Sequence, residues 1–317
     1  MDTFLIGLIY LMQLTCNLYQ HIPCILWQIL AHECRSASGV FPDVMQPTFS
    51  SSTFDIYLLV LLRQCPNLIF SKFSMNSHWP AETIVDQEEV LLPHLESLTI
   101  NDHAYNPNMV IIFYSINALA LAMLSYEFHQ HVSGYNPSPL PIPVLPLLYH
   151  STLISYLSLD GELSSQDIQD CLRLGEQVTH VVFKKHHGYP FWFNTDPDSI
   201  HLDHFDLKIL SIGSGDETLL PRLESLEAHN LLSFTDQDLL DLITSRIDAS
   251  QWGEMAALKF VKMSFQRQRK RDIIEEVSWL AKEAGIEVKL DLDYLPEGSQ
   301  SIDPLSPSFL FTLNNDK

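Results

Sequence analysis

Seven stretches of the chain share one arrangement of apolar positions. An apolar residue is followed by two arbitrary residues, a second apolar residue, one arbitrary residue and a third apolar one. They are Leu95-Leu98-Ile100, Leu121-Leu124-Tyr126, Ile154-Leu157-Leu159, Val178-Val181-Phe183, Leu207-Leu210-Ile212, Leu223-Leu226-Ala228 and Leu258-Val261-Met263. An eighth, Leu68-Ser71-Phe73, fits loosely because Ser71 is polar. The last two members of each triplet lie two residues apart, so in an extended strand they face the same way. Each stretch therefore predicts a short strand with one buried face. Two of them are nearly identical over eight residues: Leu91-Leu92-Pro93-His94-Leu95-Glu96-Ser97-Leu98 and Leu219-Leu220-Pro221-Arg222-Leu223-Glu224-Ser225-Leu226.

Between the strands the pattern changes to helical spacing. Ser164 and Asp167 stand before Ile168, Cys171 and Leu172, and Thr235 and Asp238 stand before Leu239, Leu242, Ile243 and Ile247. A hydroxyl followed three residues later by a carboxylate satisfies orphan amides at a helix start and complements the helix dipole. Ile273, Ile274, Val277, Leu280, Ala281 and Ala284 predict a last helix beginning near Asp272 and closed by Gly285, with Ile286, Val288, Leu290 and Leu292 alternating as a strand behind it. Leu58 to Arg63 reads as helix stopped by Pro66, and the Ser-rich stretch from Pro47 to Thr53 reads as a loop. Pro137, Pro139, Pro141, Pro143 and Pro146 predict an extended connector that is neither helix nor central strand.

Triplet starts at 68, 95, 121, 154, 178, 207, 223 and 258 are 16 to 35 residues apart. A recurring LxxLxL at such a period is the mark of a leucine-rich repeat, in which each unit buries its apolar face only against its neighbours. The expected fold is α/β: an irregular leucine-rich-repeat solenoid with a parallel inner sheet and outer helices and loops. Irregularity is expected because the position eight after each start is Asn only once, at Asn76. The expected division is an N-terminal segment over 1–45, the solenoid over 46–295, and a loose tail over 296–317. Residues lying between the inward triplet members point to the open sheet face. That set contains Ser97, Thr99 and Asn101; Met123, Ser125 and Glu127; Tyr156, Ser158 and Asp160; His180, Val182 and Lys184; Ser225, Glu227 and His229; and Phe260, Lys262 and Ser264. Its aromatic, charged and polar members Thr99, Glu127, Tyr156, Asp160, His180, Lys184, Glu227, His229, Phe260 and Lys262 form the candidate protein-binding face.

Composition narrows the function. Hydrophobic content of 46% and charged content of 18% are globular figures. A net charge of −21 opposes general binding to nucleic-acid phosphates. Five cysteines without a CxxC motif predict reduced thiols in a cytoplasmic or nuclear protein. The run Phe4 to Met12 has only Asp2 as a charged side chain before it, and Gln13, Thr15, Asn17 and Gln20 interrupt it early. Neither a secretory leader nor a membrane span is expected there.

Candidate chemistry is sparse. His201-Leu202-Asp203-His204, His129-Gln130-His131 and His186-His187 lack a second cluster at zinc spacing, so no metal is expected. Asp291-Leu292-Asp293 lies on the alternating terminal strand with no nucleotide-binding pattern upstream, and Gly213-Ser214-Gly215 reads as a turn. Arg267, Arg269, Lys270 and Arg271 are expected as a solvated loop before the last helix. The expectation is a non-enzyme without cofactor.

Leu61-Leu62-Arg63-Gln64-Cys65-Pro66-Asn67-Leu68, followed at a distance by Leu92-Pro93-His94-Leu95-Glu96-Ser97-Leu98, resembles the leucine-rich-repeat region of mushroom-type (agaricomycete) fungal F-box proteins. The resemblance covers roughly residues 58–295. It implies a substrate receptor that binds a Skp-type adaptor through an N-terminal three-helix motif and presents a protein target on its repeats to a cullin-RING ubiquitin ligase. Pro23, Ile25, Leu26, Ile29, Leu30 and Cys34 resemble the first helix of that motif, whereas its later spaced Trp and Val residues are not visible between Arg35 and Leu58. A repeat-only interaction protein without a ligase role therefore stands as the alternative.

Overall fold

The structure is a computed structural model. It describes residues 48–49, 59, 62–63, 65–75, 88–102, 108–128, 142–160, 165–184, 207, 209–211, 219–231, 234–253 and 255–296. The expected N-terminal segment 1–45 and all of the expected tail except Pro296 lie outside the described residues. The chain divides into two compact units, one of residues 1–159 and 170–177 and one of residues 160–169 and 178–317.

The first unit is an α/β arrangement of parallel strands. Strands β1 (Thr48–Phe49), β2 (Phe70–Met75), β4 (Ser97–Asp102), β6 (Met123–Phe128) and β7 (Tyr156–Asp160) pair in that order. The short strands β3 (Val90–Leu91) and β5 (Ile116–Asn117) form a separate parallel pair. Helices α1 (Asn108–Ser115) and α2 (Leu145–His150) belong to this unit, and α3 (Ser165–Leu174) follows β7. In the second unit β8 (His180–Lys184), β9 (Ser225–Leu231), β10 (Phe260–Phe265) and β11 (Lys289–Asp293) pair in parallel, with helices α4 (Asp236–Gln251) and α5 (Ile274–Glu283) between strands.

Register places the triplet members in continuous rows. Ser71, Leu98, Leu124 and Leu157 are successive partners in the first unit, as are Phe73, Ile100, Tyr126 and Leu159. In the second unit the rows are Val181, Leu226, Val261, Leu290 and Phe183, Ala228, Met263, Leu292. Leu98, Leu124, Leu157, Leu226 and Val261 are each 0% exposed, so these rows are the core. Ser71 occupies a core position with its Oγ unpartnered among the described residues, which is the cost of the loose eighth triplet.

Strands start on a shared backbone device. Two successive amides donate to one carbonyl a repeat earlier: Glu96 and Ser97 to Ile69 (2.8 and 3.2 Å), Ala122 and Met123 to Glu96 (both 2.9 Å), and Ser155 and Tyr156 to Ala122 (2.9 and 3.0 Å). The second unit repeats it with Glu224 and Ser225 on Thr179 (both 2.9 Å) and Lys259 and Phe260 on Glu224 (2.7 and 3.1 Å). Ahead of several strands a tight turn closes on the first triplet residue, as in Leu68 N to Cys65 O, Leu95 N to Leu92 O, Leu121 N to Ala118 O and Leu223 N to Leu220 O.

Helix ends follow their local chemistry. Thr235 Oγ1 accepts from the Asp238 amide while Asp238 Oδ2 accepts from the Thr235 amide, completing the expected capping box of α4. Gly285 follows α5 with φ +71°, a conformation that disfavours side chains with a Cβ. Ser164 lies outside the described residues, although Asp167 does sit in the first turn of α3.

Five expectations are corrected. Thr48 and Phe49, inside the Ser-rich stretch expected as a loop, form β1 and pair with β2. Leu207-Leu210-Ile212 is not a described strand: Leu207 is helical, Leu210 lies in a turn, and β8 pairs directly with β9. Apolar residues three apart also suit a helical turn, and the 16 residues from Leu207 to Leu223 leave little room for a strand and a parallel crossover. Leu207 and Leu210 remain 1% exposed, so their burial was read correctly and their element was not. Pro146 lies inside the first turn of α2, where a helix has no use for its missing amide hydrogen. On α5 the buried residues are Val277 and Ala281, joined by the N-cap Ile273, a narrower stripe than expected, and Ile274 is exposed. The terminal strand is shorter than expected, leaving Ile286 and Val288 ahead of it.

Candidate functional site

The side chains between the core rows form the candidate face, and register groups them too. In the first unit Phe70, Ser97, Met123 and Tyr156 are successive partners, followed by Lys72, Thr99, Ser125 and Ser158, then by Ser74, Asn101 and Glu127. Phe70 and Met123 are exposed, while Thr99, Glu127 and Tyr156 are half-buried. Asp160 ends β7, but its side chain lies outside the described set.

This row is not uniformly solvated, contrary to the sequence expectation. Ser158 is fully buried and Asn101 nearly so. Among the described residues Ser158 Oγ, Ser125 Oγ and Asn101 Oδ1 have no hydrogen-bond partner. Small side chains on inner strands are shaded by larger neighbours, which period-two alternation alone does not reveal. In the second unit Val182 is likewise buried.

The second unit concentrates charge. His180, Ser225, Phe260 and Lys289 form one row, and Val182, Glu227, Lys262 and Asp291 form the next. The Lys262 ammonium donates to Glu227 Oε1 at 2.7 Å, and His229 Nε2 lies 2.8 Å from the same oxygen. Burial works to raise the Glu227 pKa, but the hydrogen bonds and charges of Lys262 and His229 outweigh it and hold the carboxyl below its ordinary range. The Glu227 hydrogen bond and charge push the Lys262 ammonium above its ordinary value. Lys289 Nζ sits 5.7 Å from the centre of the Phe260 ring. His180 is exposed, with Nδ1 2.8 Å from Thr179 Oγ1, and Lys184 is half-buried at the end of β8.

Of the ten candidate residues, Glu227, His229 and Lys262 are thus joined by direct bonds, and Phe260 lies on the neighbouring row. Among the described residues no group of three His, Cys, Asp or Glu side chains is placed to hold a metal ion. Asp291 and Asp293 are exposed on β11. The histidine clusters at 129–131, 186–187 and 201–204 and the Gly213–Gly215 turn lie outside the described residues. Cys171 is buried and Cys65 is half-buried. Among the described residues no helix is long and apolar enough to cross a membrane.

Two buried cations were not legible beforehand. Arg267, expected in a solvated loop, is 8% exposed and pairs with Asp236 at 2.7 Å. It also donates to the Phe234 carbonyl and lies 4.5 Å over the Phe265 ring. Asp236 accepts further bonds from the Tyr294 hydroxyl and the Lys270 and Arg271 amides. Burial opposes ionisation of Asp236, but these bonds and the Arg267 charge outweigh it and lower its pKa. Burial and the same carboxylate push the Tyr294 hydroxyl well above its ordinary value. The available signal was a surplus acid: Asp238 alone completes the helix cap, leaving Asp236 for the basic run. Arg246, 0% exposed, donates to the carbonyls of Leu210, Leu219 and Leu220 at 3.1, 2.9 and 3.3 Å, and burial lowers its pKa to about 10. Both cations support the fold rather than the face.

No protein-family model matches the chain, and no curated protein matches it.

Proposed function

We propose that this chain is a non-enzymatic leucine-rich-repeat module that binds a protein target on its strand face, resembling the substrate-recognition part of an F-box ubiquitin-ligase receptor. The observation that supports it is the recurrence of one geometry: triplet residues stacked in core rows, with β4, β6, β7, β9 and β10 each opened by two amides on a single carbonyl. Such recurrence is what an irregular solenoid with a parallel inner sheet requires. It leaves a broad row of outward side chains, which suits recognition of a protein surface better than enclosure of a small molecule.

On this reading Glu227, His229, Phe260 and Lys262 contribute charge and an aromatic anchor, with Tyr156, Thr99, Glu127, Asp160, His180 and Lys184 as the wider contact set. A Skp-type adaptor would engage residues 1–45 and link the chain to a cullin. The later F-box pattern of spaced Trp and Val is not visible between Arg35 and Leu58, a stretch with Val40 and Val44 but no Trp, which favours a second reading, a repeat-only interaction protein with no ligase role.

The test is retention of proteins on the immobilised full chain beside the variants Glu227→Arg and Phe260→Asp. A protein held by the parent and lost from both folded variants supports target binding on this face. Equal retention by all three removes the face from the reading. Gel filtration with purified Skp-type adaptor separates the two versions: a stable complex supports the receptor, and separate elution leaves the repeat-only protein.

A further inference from the structure

We infer that β11 is a pairing edge for a second copy of this chain, giving a symmetric dimer through antiparallel β11–β11 contact. Among the described residues β11 lies at the end of its strand order and pairs with β10 alone. An edge strand offers unpaired amides and carbonyls to another strand. Its side chains alternate between exposed Lys289, Asp291 and Asp293 and half-buried Leu290 and Leu292. The two leucines continue the core rows of β10, so the apolar layer is still partly open at this edge.

The sequence of the strand is complementary to itself. In an antiparallel pair centred on residue 291, Lys289 of each copy faces Asp293 of the other, and Leu290 faces Leu292. Two opposite-charge pairs and two leucine pairs form against a single like-charge contact, Asp291 with Asp291. Centring on residue 292 instead sets Asp291 against Asp293 twice. Centring on 290 gains two Lys289–Asp291 pairs but sets exposed Glu287 against Asp293 twice. Charge therefore selects one register, and cross-strand pairs of this kind are what stabilises sheet contact. Symmetric association through one self-complementary surface is the commonest way a chain meets its own copy.

The test is sedimentation equilibrium of the full chain, with circular dichroism confirming that each variant folds. The parent is expected to dimerise, and Lys289→Asp to weaken the dimer about tenfold. Adding Asp293→Lys to that variant reverses both pairs and is expected to restore the parent affinity. Asp291→Asn removes the one repulsion and is expected to tighten association. A parent that stays monomeric at about 100 μM, a level typical of weak transient association, overturns the inference. So does a dimer indifferent to Lys289→Asp, or one that the double exchange fails to rescue.

Discussion

The twin segments 91–98 and 219–226 place nearly the same eight residues in two different settings. Each makes the same turn, Leu95 N to Leu92 O at 3.2 Å and Leu223 N to Leu220 O at 3.1 Å, and each ends on a leucine that is 0% exposed. Upstream they diverge. Leu91 lies in β3, paired with β5, and is 59% exposed; Leu92 N donates to the Asn117 carbonyl. Leu219 is only 8% exposed, and Leu220 has φ +51°, a left-handed conformation costly for a bulky residue. Both of those carbonyls accept from Arg246. The short motif determines the turn and the strand, whereas the chain leading into it is held by whatever distant group reaches it.

The largest expected effect lies where the second unit depends on a buried charge. Asp236→Asn leaves Arg267 without its anion and should cost about 3–5 kcal/mol, the range for breaking one side of a buried pair. The pH dependence has a definite sign. Because folding lowers the Asp236 pKa from 3.8, its contribution is complete well above 3.8 and is lost as pH falls through the lower folded value. Urea unfolding followed by amide exchange in β10 and α4 should show this acid sensitivity in the parent and a flatter profile in the Asn variant. Next comes Arg246→Ala, which strands three carbonyls and should cost about 3 kcal/mol. Its counterpart beside the first twin is Arg63, which donates to the Glu88 carbonyl at 2.6 Å from a partly exposed side chain. Arg63→Ala should cost under about 1 kcal/mol, because water can replace the lost donor. Equal effects of the two arginine variants would erase the contrast between the twins.

What was legible in the sequence follows the same division. The triplet strands β2, β4, β6, β7, β8, β9 and β10 announced themselves because each triplet needs only local alternation and a neighbour of its own kind, whereas β1, β3 and β5 carry no triplet. Thr235 with Asp238 announced α4 because both partners of that cap lie within one turn. Leu207 and Leu210 misled because their spacing fits a helical turn and a strand equally. Pro146 misled because a proline that ends one helix can also begin another. The Arg267–Asp236 pair was invisible because its members are 31 residues apart and the pairing depends on β10 and α4 being placed first. On the candidate face, membership in the outward rows was legible from alternation. Which members are shaded, as Ser158 and Val182 are, depends on neighbours across the sheet. The Glu227–Lys262 bond depends on the register of β9 against β10, whereas Glu227 and His229 meet two residues apart on β9 itself.

The smallest expected effect tests the twins most directly, because it changes the same letter in each. Leu219→Ser removes a buried side chain and places a hydroxyl where little water reaches, and should cost about 2 kcal/mol. Leu91→Ser alters a side chain that is mostly in solvent already and should stay within about 0.5 kcal/mol of the parent. Equilibrium urea unfolding, read through exchange of the β9 amides for the first variant and the β4 amides for the second, gives both numbers on one scale. If Leu91→Ser proves as costly as Leu219→Ser, then something covers Leu91 in solution, and the twins are more alike in their surroundings than their exposures indicate. If both are silent, the carbonyl grip of Arg246 alone holds the second twin, and burial of Leu219 is a consequence of that grip rather than a cause.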